Sequence, residues 1–116
     1  MKVVIGTGRR KAAIARAVIK AGSGRVLINK KPLEVVEPEL ARLKIMEPLA
    51  LAQNVVQKVD IEVKVEGGGV MGQAEAVRTA IARGLIEYTG DPKLRELFRQ
   101  YDWTLIKSDT RFKEPK

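Results

Sequence analysis

The sequence predicts an α+β fold in a single domain, a sheet with one solvated face combined with amphipathic helices. Residues 57–66 alternate, with Val59, Ile61, Val63 and Val65 on one side and Lys58, Asp60, Glu62, Lys64 and Glu66 on the other. That is a strand with one wet face, at home in an antiparallel or mixed sheet and not between two helical layers. Further on, Ala74, Val77, Ile81, Leu85 and Tyr88 recur every three to four residues, as on a core-facing helix. At 116 residues and 45% apolar content, the chain suits one compact domain with a modest core.

Each element has its own signal. Val3-Val4-Ile5 reads as a short strand entering a turn at Gly6-Thr7-Gly8, which delivers Arg9, Arg10 and Lys11 to one surface. Residues 11–20 are rich in alanine, yet Ile14, Arg16, Val18 and Lys20 alternate with Ala13, Ala15, Ala17 and Ile19, so a strand is expected. Gly22-Ser23-Gly24 then turns the chain into the β-rich stretch 25–29, making a hairpin. Pro32 opens a helical turn over 33–36, and Pro38-Glu39 starts an amphipathic helix with Leu40, Leu43 and Met46 towards the core, interrupted by Pro48 before a short turn over 49–52. The helix that follows residues 67–73 ends near Gly90-Asp91-Pro92, and a last helix over 93–101 uses Leu94, Leu97, Phe98 and Tyr101. Residues 1–102 are expected to form the compact domain and 103–116 a basic extension that orders on a partner.

Charge is segregated along the chain. The net charge is +8, and residues 1–31 alone hold nine basic side chains and no acidic one, whereas residues 32–106 hold nine basic and twelve acidic. A solvated face mixes both signs, so a one-signed segment points to a polyanion. With no Cys and no His, thiol chemistry, an imidazole base and the usual zinc sites are excluded. No apolar run approaches a membrane span and no secretory signal opens the chain, so a soluble cytoplasmic protein without cofactor or metal is expected.

The chemistry centres on Gly67-Gly68-Gly69-Val70-Met71-Gly72-Gln73, a strand-to-helix turn. Adjacent glycines let backbone N–H groups meet another molecule closely, and a helix start adds unpaired donors and the positive dipole end. Three ligands fit such a seat. Gly67, Gly69 and Gly72 spell G-x-G-x-x-G with Asp91 nearly twenty residues on, but the preceding strand has a wet face and Asp91 sits at a helix end, against a dinucleotide fold. A small-molecule kinase loop would place serines where Gln73-Ala74 stand and would need magnesium carboxylates. The third ligand is an RNA backbone, met by the glycine N–H groups and neutralised by Arg9, Arg10, Lys11, Arg16 and Arg78. Arg83 flanks the apolar stripe of the same helix on the opposite side from Arg78. Five aromatic residues are too few for a base-stacking platform, so backbone shape is the expected target.

Residues 67–85, GGGVMGQAEAVRTAIARGL, resemble the signature of the small-subunit ribosomal protein nine family, and Gly6-Thr7-Gly8-Arg9-Arg10-Lys11 resembles that family's N-terminal motif. Met46-Glu47-Pro48-Leu49 is similar to its archaeal members. The resemblance implies a mixed four-stranded sheet with helices on one side, of the ribosomal protein S5 domain 2-like type, bound to small-subunit ribosomal RNA beside other proteins of the subunit head, with no enzyme activity. By position it implies RNA contacts at Arg9, Arg10, Lys11, Gly67, Gly68, Gly69, Gly72, Gln73 and Arg78, with Arg83, Lys107 and Arg111 in addition. Family members reach tRNA through a long basic C-terminal tail. This sequence stops at Lys116, so a truncated or lost tail is expected and tRNA contact is assigned to no residue present.

Overall fold

The computed structural model describes residues 2–101, which form one α+β unit with its helices on one side of a mixed sheet. The strands are β1 (Val3–Arg10), β2 (Ala13–Ala21), β3 (Val26–Ile28), β4 (Lys31–Pro32) and β5 (Val59–Glu66). Their order is β1-β2-β5-β3-β4, five strands where four were expected, the fifth being the two-residue edge strand β4. All pairings are antiparallel except β3 with β5.

That parallel pair changes the expected topology. β2 and β3 do not form a hairpin, because β5 inserts between them. Parallel neighbours need a long crossover, here a 3₁₀ turn (Leu33–Val35), α1 (Glu39–Leu51) and α2 (Gln53–Val56). The 22–25 loop closes onto β5 instead: Gly22 N–H donates to Lys58 O at 3.0 Å and Gly24 N–H to Val59 O at 2.9 Å. Asp60 completes the join, its Oδ1 accepting from Ser23 N–H at 3.0 Å and Arg25 N–H at 3.1 Å. Beyond β3 the Asn29 side chain extends the ladder, donating to Val65 O and accepting from Val65 N–H.

The core lies between the sheet and α3 (Val70–Thr89), a helix buried over most of its circumference. Val77, Ile81 and Leu85 are buried as expected, but Ala76, Ala80 and Gly84 are buried too, because β1 lies directly against them. Gly6 and Gly8 make that approach possible: a Cβ on Gly6 would stand 2.3 Å from Ala80 O, and one on Gly8 2.1 Å from Ala76 O. The expected turn at Gly6-Thr7-Gly8 is therefore continuous strand, its glycines spaced by two so that both face the helix.

Two features of α1 also depart from expectation. The helix passes through Pro48, whose buried ring takes part in the core, so apolar packing offsets the missing N–H. Its inward face is Ala41, Ile45 and Pro48, while Leu40, Leu43 and Met46 are 60%, 48% and 41% exposed. α4 (Pro92–Tyr101) packs Leu94 and Phe98 into the core and leaves Leu97 exposed. Among the described residues, no helix is long and apolar enough to cross a membrane.

Candidate nucleic-acid interface

The glycine turn and the β1–β2 tip meet at one corner of the sheet. β5 ends at Glu66, and Gly67 and Gly68 turn the chain with φ of +82° and +69°, a left-handed conformation that glycine enters without strain. Gly67 lies against the hairpin tip, where a Cβ would stand 2.3 Å from Ala12 O. Gly69 caps α3 without a side-chain hydrogen bond, and nothing lies within 4 Å of where its Cβ would be. Gly67, Gly68 and Gly69 are all exposed, so the first turn of α3 offers its N–H groups to an incoming anion. Gln73 braces this seat, donating from Nε2 to Gly67 O at 3.1 Å, and Gly72 packs beside the Arg10 carbonyl.

The basic cluster is divided by strand geometry. Successive strand residues point to opposite faces, so Arg9 projects from the open face while Arg10 turns to the helical side, its Nε 2.8 Å from Glu75 Oε1. Lys11 sits at the tip with φ of +55°. The three cations thus surround the corner instead of sharing one surface. Arg83 lies on the β1 side of α3, donating to the Thr7 carbonyl at 3.4 Å. Arg78 lies towards α1, 6% exposed, with its Nε 2.7 Å from Glu47 Oε1. That position is interior, so the structure does not bring Arg78 to the corner. Lys107 and Arg111 lie outside the described residues.

Register supplies a cation that sequence reasoning missed, Lys64, and sets it against Arg16. On the open face Thr7 pairs with Arg16, and Arg16 with Lys64, which places two exposed cations directly opposite each other on β2 and β5. Like charges so juxtaposed are unfavourable by themselves and favourable around an anion. Lys30 adds a third, on a shallow open groove also lined by Arg16, Val18, Leu27, Glu62 and Lys64. The alternation of residues 57–66 already put Lys64 on the wet face, but only the β2–β5 pairing shows that it faces Arg16. Acidic groups temper the field, since Glu66 pairs with Ile14 beside the glycine turn.

The same geometry removes the support for a nucleotide pocket. Asp91 does not follow a second strand. Its carboxylate accepts from Lys93 N–H at 2.9 Å and so caps α4. The strand before the glycines keeps Glu62, Lys64 and Glu66 in solvent.

A family model described as ribosomal protein S9/S16 matches residues 8–116. The small ribosomal subunit protein uS9 of Methanothrix thermoacetophila is 56% identical over 116 residues, which cover all of this chain and 88% of that protein.

Proposed function

We infer that this chain, which belongs to the ribosomal protein S9/S16 family, is a structural constituent of the small ribosomal subunit that binds ribosomal RNA. Its role is to stabilise an RNA fold in the subunit head by neutralising phosphates, without catalysis and without a cofactor. The observation that carries the RNA-binding reading is the corner itself, where the glycine turn, the start of α3 and the Lys11 tip are in direct contact through Gly67 and Ala12. From that corner Arg9, Arg16, Lys64 and Lys30 continue the positive surface over the open face. Backbone donors position a phosphate and side-chain cations neutralise its neighbours, which favours recognition of RNA shape over base sequence.

Arg10 and Gln73 serve this interface by holding the hairpin end and the loop, and Arg83 borders it at the β1 edge. Binding of a small-subunit rRNA fragment and of ATP with magnesium, measured in parallel on the full chain, tests the reading. RNA binding without measurable ATP binding is expected. Micromolar ATP affinity with no preference for RNA would overturn it in favour of a nucleotide-binding enzyme.

A further inference from the structure

The turn between β3 and β4 breaks a local rule. Its two residues, Asn29 and Lys30, have φ of +50° and +70° and join strands that pair at Ile28 and Lys31. Two-residue turns with both φ positive are most often Asn-Gly, because asparagine tolerates the first left-handed position and glycine takes the second without strain. Here lysine stands where glycine would be easiest. Strain of this sort persists where a side chain is needed in that place.

The place is specific. Asn29 fixes the turn against β5, its N–H donating to Val63 O at 2.7 Å and its side chain donating to Val65 O and accepting from Val65 N–H. Those are the two neighbours of Lys64, which faces Arg16 across the β2–β5 pair at about 5 Å between Cβ atoms. Lys30, Arg16 and Lys64 are all exposed and line one open groove. Among the described residues none of the three is in a salt bridge, whereas Arg10, Arg42, Arg78 and Arg99 each have a glutamate partner. Glu62 lies farther from the turn, opposite Val18 and Leu27. The end of the groove nearest the turn therefore gathers three like charges, an unfavourable arrangement that an anion between them reverses.

We propose that Lys30, Arg16 and Lys64 form a second phosphate seat, separate from the glycine turn, for the backbone of the RNA; the proposal rests on the RNA-binding role inferred above. Lys64 precedes Gly67 by three residues, about 10 Å of strand, so the two seats take different phosphates of one RNA and each raises the effective concentration at the other. An acidic peptide is a poorer occupant. β2 and β5 are both paired on their two sides, so the groove offers an added strand no free backbone edge. A phosphate needs only the cations.

The test uses the full chain and a small-subunit rRNA fragment at about 100 mM salt. Lys30→Gly is expected to raise Tm by a few degrees, by releasing the left-handed lysine, and to lower RNA affinity roughly fivefold. The slope of log affinity against log salt should fall by about 0.7–0.9, the share of one phosphate contact. Lys30→Arg keeps the charge and should keep the wild-type slope. Arg16→Gln with Lys64→Gln should fold at least as stably as the wild type and lose about twice that slope. Unchanged affinity and slope in Lys30→Gly, a lowered Tm in that variant, or an equal loss in Lys30→Arg would each overturn the proposal. In assembled subunits, Lys30→benzoylphenylalanine should cross-link to rRNA. Cross-linking to a protein instead would give the groove to an acidic partner and overturn the phosphate seat. A wild-type chain that fails to bind the fragment at all would sink the functional reading itself, an outcome distinct from a wild type that binds with a steep salt slope and variants that match it.

Discussion

Gly69 is where the requirements of folding and of the proposed RNA contact separate. Because nothing surrounds its missing Cβ and its φ is −92°, Gly69→Val should fold normally while its branched side chain keeps a phosphate from the first turn of α3. We expect affinity for an rRNA fragment to fall roughly tenfold, the worth of one charge-assisted hydrogen bond, and Lys93→Ala to have less effect. The reverse ranking, with both variants folded, would take the loop out of the interface. Gly8 is the opposite case, since its Cβ would meet Ala76 O. Gly8→Ala should destabilise the free protein by about 1–3 kcal/mol in a denaturant titration, as overpacking does. A midpoint unchanged from the wild type would show that β1 can move off α3. Asp60 is an electrostatic residue of the fold: hydrogen bonds from the Ser23 and Arg25 N–H groups, with Arg25 and Lys20 nearby, hold its carboxyl below the ordinary 3.8. A depressed folded value stabilises above the unfolded one and is lost as pH falls through the folded value. The stability difference between wild type and Asp60→Asn should therefore be constant at neutral pH and shrink below about pH 4. A difference that persists to the lowest accessible pH would mean that charge is not what closes the 22–25 loop.

At the scale of elements, α1 and α3 are held by apolar packing plus one ion pair that crosses between them. Arg78 is buried against Glu47, whose side chain is 30% exposed. Glu47→Ala should cost about 2 kcal/mol, less than the ~3–5 kcal/mol of breaking a fully buried pair because water reaches the carboxylate side. Thermal unfolding of the variant measures this, and a Tm equal to wild type would show that Arg78 is held without Glu47. Helix periodicity alone could not identify the buried face of α1, because Leu40-Leu43-Met46 and Ala41-Ile45-Pro48 are both apolar at helical spacing. The larger side chains made the first set the natural choice for the core. Close approach to α3 selected the smaller one, and that same selection left the leucines outside. For α3 the spacing of Val77, Ile81 and Leu85 identified one buried face, whereas the second, Ala76, Ala80 and Gly84, emerged only with β1 packed directly against it.

For the whole molecule, the positive surface should make RNA binding strongly dependent on salt. About six phosphate contacts with slopes near 0.7–0.9 each lose roughly a thousandfold in affinity between 50 and 200 mM salt. A near-flat response in a filter-binding titration would contradict a phosphate-centred interface. The sequence by itself determined the fold class, the wet face of β5, the glycine turn between β5 and α3 and the concentration of positive charge in residues 1–31, because alternation, helical spacing, glycine freedom and charge are properties of local runs. Only the tertiary structure decided that Arg9 and Arg10 part to opposite faces of β1, that Arg78 goes inside, that Lys64 joins Arg16, and that β5 separates β2 from β3. Those outcomes depend on which strand lies beside which and on which helix face meets α3. Such pairings are set by packing between segments distant in the chain, where no local pattern reaches.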